Sequence, residues 1–332
     1  MSLQARQKSK DVVPLRRIDR STRSIAAKDL LSVLDLSHTE LAGVLSLSEE
    51  MKRHRGNGQA ADRPLAGRHV ALLFEKPSLR TRSTFVIAVR ELGGEVIEPP
   101  ADVALGSRET VEDVARNLER WVHGAVVRTF AQNRLEQFAA AAPRLRVVNA
   151  LTDEEHPCQA LADMLTLKER FGELAGRTLA FVGDGNNVAA SLAQAGAMVG
   201  VHVRIASPAG YELPAKVAAA AQAAAAFGAT VTVTNDPVEA VRGADAVYTD
   251  VWASMGQEDE TEARARVFHP YQVNDALMAA AGPDAIFMHC LPAHRGHEVT
   301  DSVIDSPASV VFEQAENRLH TQKALLSLLM GA

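Results

Sequence analysis

Short apolar runs alternate with stretches of helical periodicity along most of the chain, and this alternation restricts the possible folds more than any other feature. In the first half, the runs fall at residues 70–74, 96–97, 125–127 and 147–148. Helical patterns separate or precede them, including one behind the capping-box sequence SHTE at 37–40. Strands that alternate with helices in this way pair in parallel, with helices on both faces of the sheet.

The same alternation starts again in the second half. Strands are predicted at 179–182, 203–206, 231–233, 246–249 and 286–289, with an Ala-rich helix at 214–227. A helix at 158–171 is predicted to join the two halves. A chain of 332 residues is long enough for two domains that each bury a core. We therefore predict an α/β protein with two doubly wound parallel-sheet domains and the active site in the cleft between them.

Composition argues against several classes of protein. The formal net charge of −6 disfavours a nucleic-acid-binding surface, and no apolar run reaches the ~18 residues that a membrane span needs. The two cysteines, Cys158 and Cys290, give no disulfide framework, so a reducing cytoplasm is the expected compartment. No Cys/His cluster has metal-site spacing, so neither a metal nor another cofactor is expected. Residues 1–23 are polar and aperiodic, and we expect a disordered tail there.

The segment FEKPSLRTRSTF, at 74–85, joins a predicted strand to a predicted helix. Pro77 stops the strand, and Ser78 stands where it can cap the helix. At the first turn of a helix the backbone N–H groups are free, and the helix dipole favours an anion. The cations and hydroxyls of the segment are Lys76, Arg80, Arg82, Ser78 and Thr81. We interpret it as a phosphate site; the alternative is a capped helix with solvated arginines.

Four polar residues follow predicted strands directly, at the edge where α/β sheets bind ligands: Arg128, Asp184, Asp250 and Cys290. The Arg128 guanidinium can bridge a phosphate oxygen and a carbonyl oxygen; otherwise it is an ordinary surface arginine. Asp250 can pair with an ammonium group or cap a helix. Cys290 either lies beside the cleft or is a buried structural thiol.

Two further motifs lie near the predicted junction of the halves. His156 and Gln159 are one helical turn apart, where they can contact a carbonyl oxygen and an amide NH₂; the alternative for His156 is a helix cap. The sequence GDGNN at 183–187 follows a strand, as a dinucleotide-binding fingerprint does. Val188 stands where that pattern needs its third glycine, so the match is partial.

These motifs resemble those of a known family. FEKPSLRTR is similar to the K-x-S-T-R-T-R signature with which transcarbamoylases bind the phosphate of carbamoyl phosphate. Five later segments follow in the family order: HPCQALADMLT (156–166), VGDGNNV (182–188), DVWASMG (250–256), HCLPAHRG (289–296) and AENRLHTQKALL (315–326). From about Leu30 to its end, the chain resembles the ornithine carbamoyltransferases of the aspartate/ornithine transcarbamoylase superfamily.

The resemblance implies that the carbamoyl group of carbamoyl phosphate is transferred to the δ-amine of L-ornithine, giving L-citrulline and phosphate. It implies a carbamoyl-phosphate-binding domain at 24–154 and an ornithine-binding domain at 155–314, with a C-terminal helix at 315–332 that packs back on the first domain. It also implies a homotrimer or a multiple of one, with a role in arginine metabolism.

The same resemblance assigns the site residues. The catalytic residues would be Arg128, His156, Cys290 and Arg318. Carbamoyl phosphate would be bound by Ser78, Leu79, Arg80, Thr81, Arg128, His156, Pro157, Cys158, Gln159, Cys290, Leu291 and Arg318. Ornithine would be bound by Asn187, Asp250, Ser254 and Met255. Taken alone, Arg318 reads equally as a solvated helix arginine and Met255 as a filler of the core.

Three residues depart from the family pattern. Leu79 replaces a Thr of the phosphate signature, Val86 replaces a Glu, and Ala104 replaces a Gln that reaches a neighbouring subunit. The alternatives to ornithine carbamoyl transfer are a carbamoyltransferase for another amine, such as putrescine or N-acetylornithine, a non-catalytic paralogue, and a dinucleotide-binding module. The sequence SMG at 254–256 resembles the ornithine branch.

Overall fold

Two parallel β-sheets organise the molecule. The computed structural model describes residues 24–58, 62–100, 105, 108–253 and 260–331. The strands of the first sheet are β1 (His69–Phe74), β2 (Glu95–Ile97), β3 (Gly124–Arg128) and β4 (Arg146–Leu151). Those of the second are β5 (Thr178–Val182), β6 (His202–Ala206), β7 (Val231–Thr234), β8 (Ala246–Thr249) and β9 (Ile286–His289). The strand orders are β2-β1-β3-β4 and β7-β6-β5-β8-β9, and every pairing is parallel.

Helices connect the strands and cover both faces of each sheet. The helices of the first part of the chain are α1 (His38–Gly56), α2 (Arg80–Glu91), α3 (Val111–Trp121), α4 (Gln132–Ala141) and α5 (Pro157–Phe171). Those that follow are α6 (Asn187–Met198), α7 (Ala215–Ala223), α8 (Pro237–Val241), α9 (Thr261–Phe268), α10 (Asp275–Ala279), α11 (Asp301–Ile304) and α12 (Val311–Met330). None of the helices in the described ranges is long and apolar enough to cross a membrane.

The two faces of each sheet belong to different cores, which is what a doubly wound sheet requires. Val70 and Leu72 of β1 are buried in one core with residues of α1 and α2, whereas Ala71 and Leu73 are buried in another with residues of α3 and α4. The second sheet divides in the same way. Because strands buried on both faces are apolar throughout, they appear in the sequence as continuous apolar runs. The predicted fold class is confirmed.

Helix α12 lies across the boundary between the two sheets. It packs against α1 and α2, which cover the first sheet, and also against α5. From Asn317 to Met330 it is almost entirely buried, including polar side chains such as Arg318 and Lys323. The domain limits at residues 154 and 314 remain a prediction. Residues 1–23, for which the sequence predicts a disordered tail, lie outside the described residues.

Several element boundaries differ from the sequence prediction. The Ala-rich helix ends at Ala223 and not at 227, because Phe227 and Gly228 both have positive φ, which a right-handed helix cannot contain. Helix α12 begins four residues earlier than residue 315, at Val311. Helix α2 begins at Arg80, so that Leu79 and not Ser78 occupies the cap position, without a side-chain hydrogen bond to the helix.

Candidate active site

The carboxyl ends of the two sheets face a common cavity of about 910 Å³. Twelve of the site residues predicted from the sequence line it: Ser78, Leu79, Arg80, Thr81, Arg128, His156, Gln159, Asn187, Asp250, Cys290, Leu291 and Arg318. Pro157 and Cys158 do not. The Cys158 thiol is buried and donates to the backbone oxygen of Asn149, 3.4 Å away, because that side of α5 faces β4. Ser254 and Met255 lie outside the described residues.

The N-terminus of α2 forms one wall of the cavity. A helix leaves its first backbone N–H groups without intrahelical partners, and here no side chain caps them. Thr81 is buried, whereas Leu79, which also lines the cavity, is 76% exposed. Since Arg80 forms no ion pair with any residue of the described ranges, this wall carries uncompensated positive charge.

Three buried side chains beside this wall have nitrogen atoms that form no hydrogen bond within the described part of the protein. Arg128 is the last residue of β3, His156 precedes α5, and Arg318 lies in α12; each is at most 6% exposed. Arg128 Nε, Arg318 Nε and His156 Nδ1 have no hydrogen-bond partner among the described residues. Native proteins rarely leave buried polar groups unpaired, so such groups need an explanation, and for groups that line a cavity a bound ligand is one.

Burial lowers the pKa of all three groups, and neighbouring cations lower the pKa of Arg128 and His156 further. The pKa of Arg128 falls to about 10, first because of burial and then because of the Arg318 charge, so its guanidinium stays protonated at neutral pH. Burial, followed by Arg318 and Arg128, holds the pKa of His156 well below its usual value, so its imidazole is neutral. A neutral imidazole still carries one N–H group that can donate to a ligand oxygen.

The Arg318 guanidinium also connects three elements. It donates through one nitrogen to Gln159 Oε1 on α5 and through another to Thr81 Oγ1 on α2, at 2.8 Å for the latter. These partners are separated from Arg318 by 159 and 237 residues in sequence. The arginine is therefore held in the cavity wall by contacts that the sequence pattern of α12 does not show.

The opposite wall comes from the second sheet and is acidic. Asp250, 7% exposed, follows β8; its Oδ1 accepts from Cys290 Sγ at 3.0 Å and its Oδ2 from Asn186 Nδ2 at 2.9 Å. Asn186 is also the cap of α6, since its Oδ1 accepts from two backbone N–H groups of the first turn. Burial and the Asp250 charge raise the pKa of the Cys290 thiol well above its usual value, so Cys290 is a neutral donor.

Asn187 connects the acidic wall to the loop after β4 of the first sheet. One hydrogen of its Nδ2 is donated to the backbone oxygen of Thr152 at 2.6 Å, which leaves the other hydrogen and Oδ1 for a ligand. Asp184, whose pKa is raised by burial, is paired with Arg264 Nη1 at 2.8 Å and so is not a free anion. The GDGNN segment thus supplies polar contacts to the cavity at the start of α6.

Two residues that the sequence interpretation left out support the Cys290–Leu291 segment. His289 and Glu298 are both 0% exposed. His289 Nδ1 accepts the Leu291 N–H at 2.9 Å, and its Nε2 lies 3.1 Å from Glu298 Oε1. Because a backbone N–H can only donate, Nε2 must carry the imidazole hydrogen and donate to Glu298. These bonds hold Leu291 at φ 57°, a strained value for a residue other than glycine.

The fold also brings three metal-ligating side chains together, although their sequence spacing did not indicate a metal site. Atoms of Asp250, His289 and Cys290 lie within 4.8 Å of one another. Both nitrogens of His289 already have partners, so a metal ion would have to break one of two buried hydrogen bonds. We propose no metal at this cluster.

Lys76, Phe130 and Asp153 form the rim of the cationic wall. Lys76 Nζ is 2.5 Å from Asp153 Oδ1 and 4.4 Å from the centre of the Phe130 ring. The sequence showed Lys76 as a cation of the phosphate segment, but its carboxylate partner lies 77 residues away in the chain. Only the fold brings these residues together, so no local signal was available for Asp153 or Phe130.

Comparison with known proteins agrees with this geometry. Residues 28–169 match the family model described as "Aspartate/ornithine carbamoyltransferase, carbamoyl-P binding domain", and residues 175–329 match its "Asp/Orn binding domain". An ornithine carbamoyltransferase from Parafrankia sp. is 53% identical over 308 residues, covering 92% of this chain and 97% of the relative. One from Acidothermus cellulolyticus is 54% identical over 301 residues, covering 90% and 95%.

A solved structure extends the similarity to three dimensions. The ornithine carbamoyltransferase from Pyrococcus furiosus superimposes with a TM-score of 0.89 at 48% sequence identity, covering 93% of this chain and 99% of that one. The two family models together span nearly the whole described chain, and identity near 50% extends over the same range. This chain therefore belongs to the aspartate/ornithine carbamoyltransferase family.

Proposed function

We propose that this protein transfers the carbamoyl group of carbamoyl phosphate to the δ-amine of L-ornithine and releases L-citrulline and phosphate. One observation carries this proposal: a single cavity has a cationic wall with unpaired buried donors and, opposite it, the acidic Asp250–Cys290 pair. A phosphate ester with an adjacent carbonyl suits the first wall, and a diamine suits the second. Family membership favours the same pair of substrates.

The phosphate would bind at the N-terminus of α2. The free N–H groups of the first turn, together with Ser78, Arg80 and Thr81, provide donors and positive charge. The family's Thr hydroxyl is missing at Leu79, but the Leu79 backbone remains in the wall. Pro157 and Cys158 do not line the cavity, so we assign neither of them a contact with carbamoyl phosphate.

The carbonyl oxygen would lie between Arg128, His156 and Arg318, which line the cavity close enough for the arginine charges to act on one another and on His156. Negative charge develops on this oxygen when the amine attacks, so donors fixed in advance stabilise the transition state more than the substrate. Removal of one such donor typically costs about 3–4 kcal/mol of transition-state stabilisation. Gln159 and Leu291 would bind the carbamoyl NH₂ group beside them.

Ornithine would bind against the acidic wall, which comes from the second sheet. Asp250 would attract its ammonium groups, and Asn187 has a free hydrogen and a free oxygen for the α-carboxylate or α-amino group. Ser254 and Met255 would complete this set. Cys290, a neutral thiol donor fixed on Asp250, would adjoin the reacting δ-amine.

The reaction needs no covalent intermediate on the protein. The lone pair of the neutral δ-amine forms a C–N bond to the carbonyl carbon, giving a tetrahedral oxyanion. The bond between the former carbonyl carbon and the oxygen that bridges it to phosphorus then breaks. Phosphate leaves with the electron pair of that bond. The proton lost by the nitrogen goes to the departing phosphate. Holding both substrates in one cavity makes the attack effectively intramolecular.

The cellular setting is part of the proposal. Two unpaired cysteines, Cys158 and Cys290, support a reducing cytoplasm. Family membership supports a role in arginine biosynthesis and a homotrimer or a multiple of one. Light scattering tests the assembly, and an active monomer would contradict it.

The direct test of the chemistry is ¹³C NMR with [¹³C]carbamoyl phosphate and ¹⁵N-labelled ornithine. The proposal predicts a ¹³C–¹⁵N coupling in the product when only the δ-nitrogen is labelled. Coupling that appears with only the α-nitrogen labelled, or absence of any coupled product, would refute the proposed function.

A further inference from the structure

Asp163 is a buried carboxyl group that has no part in the reaction described above. It lies in α5 one turn beyond Gln159 and is 0% exposed. Its Oδ1 accepts from Gln159 Nε2 at 2.8 Å and from Gln314 Nε2 at 2.7 Å. Burial, opposed only in part by these hydrogen bonds, raises the pKa of Asp163 to about 7. Burying a carboxyl group costs free energy of folding unless it is well hydrogen-bonded, so the presence of Asp163 here needs an explanation.

The contacts of Asp163 determine which way round the Gln159 amide lies. A glutamine amide has an accepting oxygen at one side and a donating NH₂ at the other. Gln159 is held between Asp163 Oδ1, which accepts from its Nε2, and the Arg318 guanidinium, which can only donate and so needs its Oε1. One orientation satisfies both partners: Nε2 towards Asp163, and Oε1 towards Arg318, which lines the cavity together with Gln159.

A second glutamine fixes Asp163 in the same way. Gln314 of α12 accepts the backbone N–H of His289 through its Oε1 at 3.0 Å and donates to Asp163 through its Nε2. Since a backbone N–H can only donate, the Gln314 amide has one orientation too. A hydrogen-bonded row thus runs through His289, Gln314, Asp163, Gln159 and Arg318. Both glutamine amides in it have one orientation, and all its members are at most 2% exposed.

We infer that Asp163 is a positioning residue that keeps the Gln159 oxygen turned into the cavity and thereby selects a carbamoyl group over an acetyl group of the same shape. This inference rests on the proposed function. The second lone pair of Gln159 Oε1 can accept from the carbamoyl NH₂. A methyl group cannot donate, so it leaves this second lone pair of a buried oxygen unpaired. With the amide reversed, two NH₂ groups would face each other and the selection would be lost.

Two stable phosphonates test this selection without any turnover. Phosphonoacetamide and acetonylphosphonate differ in one group, NH₂ in the first and CH₃ in the second, and calorimetry gives the dissociation constant of each. Wild type is expected to bind phosphonoacetamide at least about tenfold more tightly, as a site that hydrogen-bonds an NH group should. Asp163→Leu removes the acceptor for Gln159 Nε2 and leaves Arg318 alone to orient the amide, so it is expected to lower this ratio. Asp163→Asn keeps an acceptor oxygen and is expected to stay within about threefold of the wild-type ratio.

Thr166→Val is the matched control. Thr166 lies in α5 one turn beyond Asp163, is 3% exposed, and accepts from Asn317 Nδ2 of α12 at 3.0 Å. It therefore joins the same two helices without touching Gln159, and its loss is expected to leave the ratio at the wild-type value. If Asp163→Leu weakens both phosphonates by the same factor, Asp163 has a structural role alone and the inference is wrong.

NMR on wild type tests the orientation if Asp163→Leu fails to fold. The Gln159 side-chain amide hydrogens are expected to resist solvent exchange and to keep their chemical shifts when phosphonoacetamide binds, because Nε2 faces Asp163. Large shifts of these hydrogens on binding would show that Nε2 faces the ligand and would overturn the inference. Wild-type protein that binds neither phosphonate would overturn the proposed function itself, and the inference with it.

Discussion

The thiol of Cys290 donates a hydrogen bond of 3.0 Å to Oδ1 of Asp250, joining the carboxyl ends of β9 and β8 at the acidic wall of the cavity. Asn186 occupies the other oxygen of the carboxylate. Because its pKa is raised well above the usual value, the thiol stays protonated and adds no negative charge of its own. The Asp250 carboxylate is thus held in one orientation by two donors.

This arrangement predicts different outcomes for two substitutions of Cys290. Cys290→Ser keeps a donor and is expected to retain much of the affinity for ornithine. Cys290→Ala removes the donor and is expected to raise KM for ornithine by about tenfold or more, the worth of one hydrogen bond to a charged group. Steady-state kinetics at saturating carbamoyl phosphate compare the two. Equal KM values for both variants would show that the hydrogen bond does not orient Asp250.

Arg80 and Arg82 offer a matched pair at the start of α2. Arg80 lines the cavity, whereas Arg82 is exposed and paired with Glu98. Arg80→Ala is expected to lower kcat/KM for carbamoyl phosphate by about 10²–10³, the effect of losing a fixed donor to developing charge. Arg82→Ala is expected to stay near wild type, since exposed ion pairs contribute little. Similar losses of kcat/KM in both variants would contradict a phosphate site at the start of α2.

The His289–Glu298 pair can be dissected with two isosteric substitutions. Asn at position 289 places an oxygen where Nδ1 was and keeps the acceptor for Leu291 N–H, while Gln places an NH₂ near Nε2 and keeps the donor to Glu298. His289→Gln is expected to lose the larger part of kcat/KM, at least about tenfold, because the Leu291 backbone is released. His289→Asn is expected to be the less stable variant, because it leaves the buried Glu298 short of a donor.

Denaturation midpoints and kinetics for both variants provide the comparison. If the less stable of the two variants is also the less active one, then His289 only supports the fold and does not position Leu291.

Asp163 makes a prediction about stability and pH. Its pKa is about 7 in the folded protein against 3.8 for a free side chain. Between these values the unfolded chain releases a proton that the folded protein keeps, so the free energy of unfolding falls as pH rises, by at most about 1.4 kcal/mol per unit. The change ends near pH 7, where the folded protein also ionises. Tyr248 and Cys290, which face this carboxyl, both have raised pKa values and stay neutral in the window.

Asp163→Asn removes this titration. Urea denaturation at pH 5 and pH 8 is expected to show the variant gaining stability relative to wild type at the higher pH. A constant difference between the two proteins at both pH values would mean that Asp163 ionises normally.

The strands were well predicted from the sequence because parallel strands buried on both faces leave continuous apolar runs. The predicted limits of β8 and β9 match the structure at both ends. The end of α7 was missed because Ala continues past Ala223 while the backbone turns at Phe227, and Ala itself carries no stop signal.

The site was predictable where a residue ends a strand or starts a helix, as Arg128 and Arg80 do. Asp163, Gln314 and Glu298 were not. Each is a polar residue whose type suggests a surface position, and the contacts that bury Asp163 and Gln314 join parts of the chain 151 residues apart. Without knowing which helices pack together, a polar residue in a hydrogen-bonded row cannot be told from a solvated one.

Amine selectivity tests the central claim most directly. Ornithine offers Asp250 and Asn187 an α-ammonium and an α-carboxylate, which putrescine lacks, so binding putrescine leaves buried polar groups unpaired at about 1–3 kcal/mol. The measurement is kcat/KM for the two amines with carbamoyl phosphate, in wild type and in Asp250→Asn. The account predicts that wild type prefers L-ornithine by at least about tenfold and that the preference shrinks in the variant. Equal kcat/KM for the two amines in wild type, or a preference for N-acetylornithine, would contradict it.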